Sequence, residues 1–390
     1  MSEWKEYRLA DFANINPTER LQKGTIAKKI AMEVIQPFTK KIPTYSNEEY
    51  KGGVKFKNGD TIMARITPSL ENGKTSYVDI LGEDEIGFGS TEFIVFREKE
   101  NVSDKHFVYY LATSPIVRNT AIKSMTGSSG RQRVQTDVLK EHLFDAPPLP
   151  EQRAIAEVLS SLDDKIDLLH RQNKTLEQMA ETLFRQWFVE EADEGWEEGP
   201  LSFFGDIICG KTPSKKKKEF FGGDIPFIKI PDMHGKTFIF STTDSLTDEG
   251  KNSQTNKTLP PKSICVSCIA TVGLVVLTSK ESQTNQQINS IIPLINEYRY
   301  YLFLQMKDSY NLLHAMASGG TATLNLNTGN FSKINIPLPP EKLLKEFHNE
   351  VEPVFDKIFN NQTQIRTLEK MRDTLLPKLM SGEVKVSTDG

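Results

Sequence analysis

Apolar residues recur along residues 155–187 in steps that alternate between four and three. This 3.5-residue spacing is typical of a coiled-coil seam, because it keeps a narrow apolar line facing a partner helix. At about 1.5 Å per residue the segment predicts a helix of roughly 50 Å, which needs a second helix to cover its seam. The seam positions are Ile155, Leu159, Leu162, Ile166, Leu169, Asn173, Leu176, Ala180, Leu183 and Trp187.

The covering helix is predicted 192 residues further along the chain. At this offset residues 175–184 and 367–376 share six identities in ten, and the Asp-Lys-Ile sequence of 164–166 recurs at 356–358. The chain therefore contains an internal duplication. The seam of the second helix is formed by Phe347, Val351, Val354, Ile358, Asn361, Ile365, Leu368, Arg372, Leu375 and Leu379.

An antiparallel register in which paired residue numbers add up to 534 places every seam position opposite another seam position. This register brings together Asn173 and Asn361, the only asparagines on the two seams. Buried asparagines fix register at some cost in stability, so we expect these two to hydrogen-bond and to set the stagger. Arg372 is the charged exception, and we expect Met371 to face inward in its place.

The segments that precede the two helices alternate short β-like runs with turns. Each also contains one longer helical pattern, followed by a glycine-rich loop. The predicted strands are Val54–Phe56, Thr61–Ile66, Thr75–Ile80, Glu92–Phe96, Ile264–Ile269 and Gly273–Thr278. The predicted helices are His106–Met125 and Tyr298–Ala317, and the loops after them are Thr126–Arg133 and Ser318–Thr321.

Proline turns separate each globular segment from the long helix that follows it, because proline interrupts regular structure. The fold class is therefore predicted as α+β, with two mixed, β-rich domains at 1–146 and 196–336. The proline turns and long helices occupy 147–195 and 337–390, and an internal pseudo-twofold repeat relates the two halves.

The composition is that of a soluble protein, since 37% of its 390 residues are hydrophobic and 26% are charged. No apolar run approaches the roughly 20 residues of a membrane span, and the charged N-terminus is unlike a signal peptide. Three cysteines fit a reducing compartment, so we expect a cytoplasmic protein. The acidic surplus lies on residues 147–195, with 11 acidic and 5 basic residues. The globular segments are neutral to slightly basic, which permits nucleic-acid binding through local basic loops without requiring it.

Few patterns in the chain suggest catalysis or metal binding. Cys265 and Cys268 have CxxC spacing, but apolar neighbours and the lack of a second pair favour core thiols. Residues 231–232 and 249–251 resemble a nuclease pattern that is short and common. The sequences Asn-Pro-Pro-Tyr and Asp-Pro-Pro-Tyr, which would indicate base methylation, do not occur. We therefore expect no catalytic residue, no metal and no cofactor in this chain.

The whole chain resembles the specificity subunit of type I restriction–modification systems in the order of its parts and in its helical repeats. The motifs that carry the resemblance are Leu149-Pro150-Glu151-Gln152-Arg153 and Leu379-Met380-Ser381-Gly382-Glu383, each beside a long heptad helix. The second proline turn departs from the pattern, because residues 339–342 read Pro-Pro-Glu-Lys.

This resemblance implies a non-catalytic protein that holds two target-recognition domains apart on an antiparallel helix pair. It also implies that each domain reads half of a bipartite double-stranded DNA site through the major groove. The helices would bind two methyltransferase subunits, and restriction or translocase subunits are possible further partners. S-adenosylmethionine, ATP and Mg²⁺ are then expected on the partner subunits.

In such a protein the residues that contact DNA are expected on loops, where arginine suits guanine, amides suit adenine and lysine suits phosphate. The alternative for these residues is a solvated loop or, for the amides, a cap on the end of a buried strand. The candidates of the first domain are Arg65, Asn72, Lys74, Arg131, Gln132 and Arg133. Those of the second domain are Lys215, Lys216, Lys217, Lys218, Gln283, Asn285, Gln286 and Gln287.

Two other classes of protein remain open from the sequence. A single-chain restriction enzyme or methyltransferase with built-in specificity would show activity in isolation, with a metal or a methyl donor. A coiled-coil adaptor would bind proteins through its globular domains and would lack salt-dependent, sequence-specific DNA binding.

Overall fold

The structure is a computed structural model that describes residues 4–318 and 324–386. It divides into two compact units, of which the first comprises Met1–Leu169 with Ile365–Gly390 and the second His170–Gln364. Each unit thus combines one globular domain with parts of both long helices. The mixture of helices and strands in two repeated domains confirms the predicted α+β class.

The first globular domain is built from two four-stranded sheets, in the orders β2-β9-β6-β7 and β4-β3-β8-β5, and a short pair β1-β10. Its strands are β1 (Lys5–Arg8), β2 (Ala13–Ile15), β3 (Ile26–Ile30), β4 (Ser46–Glu49), β5 (Val54–Phe56), β6 (Thr61–Ala64), β7 (Thr75–Tyr77), β8 (Gly87–Gly89), β9 (Phe93–Glu98) and β10 (Leu143–Ala146). Its helices are α1 (Leu9–Phe12), α2 (Lys105–Thr113), α3 (Pro115–Lys123) and α4 (Thr136–Lys140), and the long helix α5 (Leu149–Arg185) follows.

Strand β9 is apolar at successive positions, and its packing gives the reason. Ile94 and Phe96 belong to the core that contains residues of α2, whereas Phe93 and Val95 belong to the core shared with the second sheet. A strand covered on both faces buries every side chain, so it loses the alternation of a half-exposed strand. The sheet of β9 therefore lies between a helical layer and a second sheet.

The second globular domain repeats this plan, with sheets in the orders β12-β19-β16-β17-β14 and β15-β13-β18 and a short pair β11-β20. Its strands are β11 (Glu198–Pro200), β12 (Gly205–Cys209), β13 (Phe221–Ile228), β14 (Phe238–Ile239), β15 (Asp244–Leu246), β16 (Ile264–Ser267), β17 (Val275–Thr278), β18 (Gln283–Thr284), β19 (Ile288–Pro293) and β20 (Asn335–Pro337). Its helices are α6 (Leu201–Phe204), α7 (Ile230–Met233), α8 (Asp248–Asn252), α9 (Tyr298–Asp308), α10 (Tyr310–Ala317) and α11 (Thr328–Ser332), and the long helix α12 (Glu341–Met380) follows.

Corresponding strands pair in the same way in the two domains. The four strands β2, β9, β6 and β7 match β12, β19, β16 and β17, and both second sheets contain a parallel pair, β3 with β8 and β13 with β18. Each strand predicted from the sequence is present, with ends that differ by up to three residues.

The two predicted globular helices are each divided in two. Pro115 ends α2, because the residue before a proline is restricted to extended conformations, and Ser114 has φ −67° and ψ 159°. Asp104 begins α2 by accepting hydrogen bonds from the backbone N–H groups of His106 and Phe107. In the second domain the interruption falls at Ser309. The expectation of one continuous helix in each domain is therefore wrong.

The long helices contain 37 residues in α5 and 40 in α12, which corresponds to roughly 55 and 60 Å. Helix α5 begins two residues before the predicted Glu151, because Pro150 is tolerated in a first helical turn. A π-helical turn over Gln186–Glu190 ends it. Residues 319–323, which include most of the second predicted glycine loop, lie outside the described residues.

The predicted antiparallel register is present within each unit. In the first unit Ile166 and Leu169 of α5 cluster with Ile365 of α12. In the second unit the rings of Trp187 and Phe347 are 5.7 Å apart, and these residue numbers also add up to 534.

The two seam asparagines lie opposite each other, as predicted. Nδ2 of Asn361 donates to Oδ1 of Asn173 at 2.9 Å, and both residues are buried. The same amide is 3.5 Å from Oε1 of Gln172. That this pair sets the stagger of the helices remains a prediction.

Arg372 faces inward, so the expectation that Met371 would replace it on the seam is wrong. Nη1 of Arg372 donates to Oδ1 of Asp163 at 2.9 Å and to the carbonyl oxygen of Phe38 at 3.1 Å. The Tyr110 hydroxyl donates to the other oxygen of Asp163 at 2.7 Å. Met371 is 47% exposed, whereas Arg372 is 9% exposed. A buried carboxylate, which the heptad pattern does not reveal, thus holds the arginine on the seam.

The second unit has no charge at the corresponding described positions. The 192-residue offset carries Asp163 onto Phe355 and Arg372 onto Ala180, and both of these residues are buried. The ring of Phe355 stacks on Tyr300 with 4.3 Å between centroids. The two units therefore differ at this place, one with a buried ion pair and the other with apolar packing.

Candidate nucleic-acid interface

Three separate segments of the first domain meet beside the end of β6. The N–H of Arg65 donates to the carbonyl of Glu92 at 2.8 Å, and the N–H of Val134 donates to the carbonyl of Arg65 at 2.9 Å. The N–H of Thr67 donates to the carbonyl of Gln132 at 3.1 Å. We call this meeting point the loop junction. It consists of the loop after β6, the residue before β9 and the segment after the glycine loop. It brings Arg65 of one candidate cluster beside Gln132 and Arg133 of the other.

Glu92 holds two arginines at the loop junction. Its Oε1 accepts from Nε and Nη2 of Arg133 at 2.9 and 2.7 Å, and its Oε2 lies 4.0 Å from Nε of Arg65. Hydrogen bonding to this carboxylate raises the pKa of Arg133. All three side chains keep part of their surface in solvent, with 23% of Glu92, 31% of Arg65 and 44% of Arg133 exposed. The group carries one net positive charge in a fixed geometry.

The other candidates of the first domain differ in availability. Nζ of Lys74 donates to the carbonyl of Met32 at 2.9 Å, so this ammonium group has a structural partner within the domain. Asn72 is exposed in the turn that follows the cis Thr67-Pro68 bond. Arg131 is exposed, and Gln132 is half-buried.

The second domain has a loop junction with the same backbone hydrogen bonds. The N–H of Cys268 donates to the carbonyl of Gln287 at 2.8 Å, and the N–H of Leu326 donates to the carbonyl of Cys268 at 2.8 Å. The N–H of Ala270 donates to the carbonyl of Leu324 at 3.0 Å. Isolated bridges join residue 66 to residue 133 and residue 269 to residue 325. Arg65, Glu92 and Arg133 thus correspond to Cys268, Gln287 and Asn325.

The row of amides in the second domain has two buried members. Gln283 is fully buried, and its Nε2 donates to the carbonyl of Lys251 at 3.1 Å and to Oγ1 of Thr258 at 2.9 Å. Asn285 is 7% exposed, and its Nδ2 donates to Oε1 of Gln287 at 2.9 Å. The amides of Gln283 and Asn285 are therefore hydrogen-bonded inside the domain, and direct base contact by these two residues stays a prediction.

The two remaining amides and the lysine run lie on exposed or half-buried segments. Gln286 is exposed and accepts from Oγ1 of Thr212 at 2.8 Å, while Gln287 is half-buried. The lysine run 215–218 is exposed throughout and begins three residues after Thr212. Nζ of Lys217 lies 4.9 Å from the centroid of the Phe220 ring.

The family described as type I restriction modification DNA specificity domain matches the chain twice, over residues 1–178 and 193–369. The chain belongs to the type I restriction–modification specificity subunits. It is similar to the type I restriction enzyme HindI specificity subunit of Haemophilus influenzae, with 35% identity over 98% of this chain and 100% of the relative. It is also similar to the MjaIX specificity subunit of Methanocaldococcus jannaschii, with 27% identity over 74% of this chain and 71% of the relative.

The solved structure of a type I S subunit from M. genitalium has the same fold, with a TM-score of 0.62 at 16% identity over 97% of this chain and 96% of that one. The resemblance seen in the sequence is confirmed, and the role of a DNA specificity subunit follows from the family. The adaptor and the single-chain enzyme gain no support from these relatives.

Cys265 and Cys268 lie in the core of the second domain, as their apolar neighbours in the sequence predict. Burial raises the pKa of the Cys265 thiol to about 12 and that of Cys268 to about 11, so both thiols are neutral. Within residues 4–318 and 324–386 no three His, Cys, Asp or Glu residues group as metal ligands. None of the described helices is long and apolar enough to span a bilayer.

Sequence reasoning missed two residues of the loop junctions, Glu92 and Asn325. Glu92 stands at the start of a predicted strand, and an acid there gives no sign of two arginine partners distant in sequence. Asn325 did leave a signal, because the 192-residue offset of the specificity subunit carries Arg133 directly onto it. The offset does not relate Glu92 to Gln287, since the loops between them differ in length.

Proposed function

We propose that the two globular domains read the two halves of a bipartite double-stranded DNA target, one half each. The observation that carries this proposal is that matching strands in the two domains support loops with different exposed polar residues. Direct readout of base edges needs side chains of different hydrogen-bonding character on a rigid support. Two such surfaces in one chain suit a target with two parts.

We further propose that methyl transfer is performed by two copies of one methyltransferase, bound to the helices. The two helical repeats keep identical residues away from the seam, including Met179 and Met371, which are 50% and 47% exposed. Exposed methionines suit protein contacts, because their side chains are apolar and adaptable. Identity at exposed positions of two diverged repeats is what two copies of the same partner would require.

The remaining chemistry belongs to the partners in this proposal. S-adenosylmethionine binds the methyltransferase, and ATP and Mg²⁺ bind a restriction or translocase subunit where one joins the complex. The place of action is the cytoplasm, where chromosomal DNA is accessible to the complex.

The experiment is a genome-wide map of methylated adenines in cells that express this chain with the methyltransferase of its own system. We expect a motif with two specified parts and an unread spacer, absent from cells that lack this chain. Methylation by an active methyltransferase that is the same with and without this chain would refute the proposal. Salt-dependent DNA binding by the complex, with a steep loss of affinity as salt rises, is the second readout.

A further inference from the structure

We propose that the loop junction is the base-reading position of both domains. It is occupied by Arg65, Glu92 and Arg133 in the first domain and by Gln287 and Asn325 in the second. This inference rests on the proposed function and deepens it, because it names the residues and the kind of base pair that each domain reads.

The backbone of the loop junction is the same in the two domains, whereas its side chains are chemically unrelated. Three hydrogen bonds recur with N···O distances of 2.8, 2.9 and 3.1 Å in the first domain and 2.8, 2.8 and 3.0 Å in the second. On this common support an acid and two arginines stand where the other domain has two amides and a buried thiol. A position with a rigid backbone and exchangeable side chains is what base recognition requires.

The position of the Glu92 carboxylate in the first domain also fits base recognition. Glu92 alone would repel DNA phosphates, but its bonds of 2.9 and 2.7 Å to Arg133 and its approach to Arg65 leave the group with a net positive charge. The bonds to Glu92 use Nε and Nη2 of Arg133, and a guanidinium has five N–H donors, so donors remain for a base. Glu92 acts as the positioning residue that orients Arg133.

The chemistry of these side chains indicates a G·C pair for the first domain. Arginine binds the O6 and N7 acceptors of guanine in the major groove, and a carboxylate accepts from N4 of cytosine. A guanidinium held by a carboxylate loses less freedom on binding than a flexible one, so the contact is already oriented before DNA arrives.

The second domain is suited to an A·T pair at the corresponding place. Asparagine and glutamine match the N6 donor and N7 acceptor of adenine. Asn285 orients Gln287, because it donates to Oε1 at 2.9 Å and its Oδ1 accepts from the Gln287 N–H at 3.1 Å. Asn325 is exposed beside it on the strand bridge to residue 269. Asn285 is thus a positioning residue, which explains its burial.

The first test uses the unchanged protein in complex with its methyltransferase, so folding is not in question. Each guanine of the first half-site is replaced in turn by 7-deazaguanine, which lacks the N7 acceptor, and affinity is measured by competition. We expect one guanine whose replacement weakens binding roughly 5-fold or more. The same replacement should have no effect on the Arg133→Gln complex. A loss that persists undiminished in Arg133→Gln would overturn the assignment.

The second test maps methylated adenines with the double variant Glu92→Gln/Arg133→Asn, which gives the first junction the amides of the second. We expect one position of the first half-site to lose its G·C preference, while the second half-site stays unchanged. Asn325→Ala should alter only the second half-site. Lys51→Gln is the matched control, because it removes an exposed charge paired with Glu49 and should change neither half-site.

The outcomes separate this inference from the proposed function. If the unchanged chain directs no bipartite methylation, the proposed function fails. If the unchanged chain directs bipartite methylation and the double variant methylates the same motif, the loop junction is not the reading position. If the double variant gives no methylation at all, the effect of 7-deazaguanine on the unchanged complex compared with the Arg133→Gln complex decides.

Discussion

Asp163 and Arg372 are both buried and form an ion pair in the first unit, and Arg372 also pairs with the more exposed Asp373. Removing one member of a buried ion pair leaves the other charge buried without its partner, which lowers folding stability more than removing both charges. The two side chains are 6% and 11% exposed, so solvent screens them weakly.

Arg372→Met is therefore expected to lower the free energy of unfolding by about 3–5 kcal/mol. The double variant Asp163→Leu/Arg372→Met should lose less than either single change. Denaturant unfolding followed by circular dichroism measures both. Met371→Ala on the exposed side of the same turn is the control, with an expected change within about 0.5 kcal/mol. Single and double variants that lose equal stability would contradict this account.

His106 makes the first domain sensitive to acid. Burial and, second, the charge of Lys40 lower its pKa from the ordinary 6.5, and its ring lies 4.6 Å from that of Tyr77. The unfolded chain binds this proton more readily than the folded one, so stability is full above pH 6.5 and is lost as pH falls toward the folded pKa.

His106→Gln is expected to flatten the loss of stability below pH 6.5, by at most about 1.4 kcal/mol per pH unit. Thermal unfolding across pH 5 to 7.5 gives the comparison. His170→Gln, at an exposed position of α5, serves as the control. A pH profile of His106→Gln that matches the unchanged chain would refute the prediction.

At the scale of elements, the helix pair combines an apolar seam with one amide pair. Asn173→Leu leaves the amide of Asn361 buried without its 2.9 Å partner, which should cost about 1–3 kcal/mol. Replacing both asparagines by leucine should restore or exceed the original stability, because the desolvated amides are gone. Gln178→Leu at an exposed position of α5 is the control.

The same double variant tests whether the asparagines set the stagger. The cross-linking variants carry Cys209→Ser and one of two cysteine pairs. The pair at 176 and 358 should cross-link in the unchanged register, and the pair at 176 and 354 should cross-link after a shift by about one turn. We expect the shifted cross-link in the double leucine variant alone. Its absence there would show that other contacts determine the register.

The sequence was most informative about elements whose pattern is local. The 3.5-residue spacing predicted both long helices and their register, and β-branched runs predicted the strands. Pro115 was a local signal for the end of the first globular helix, and the prediction of one continuous helix there missed it. The sequence was less informative where one distant residue decides the outcome. Arg372 is acceptable inside only because Asp163 faces it.

The candidate interface shows the same division. Arg65 and Arg133 were identified as residue types suited to guanine, but the loop junction that joins them depends on pairing between β6 and β9. Gln283 was a candidate because its amide suits adenine, with a structural role at a buried strand as the alternative, and backbone carbonyls around it satisfy its hydrogen bonds. Contacts between segments far apart in sequence leave no local pattern to find.

At the scale of the whole molecule, the length of the long helices bears on the DNA spacer. Four residues inserted after Leu169 and four after Gln364 add about 6 Å to each helix. We expect the unread spacer to lengthen by roughly two base pairs, at 3.4 Å each, while both half-sites persist. Methylation mapping measures this directly. An unchanged spacer with full methylation would dissociate spacer length from the helices.

The contrast between the buried pair Asp163–Arg372 and its counterparts Phe355 and Ala180 bears on how this gene can change. The two helical repeats share six identities in ten over residues 175–184 and 367–376, and such similarity favours recombination that copies one repeat over the other. Copying the first repeat over the second would put alanine in place of Arg372 and leave Asp163 without its charge. The reverse copy would put phenylalanine in place of Asp163 and leave Arg372 with Asp373 as its remaining charged partner. Either exchange would lower the stability of the chain that it produces, which favours two repeats that differ at these positions.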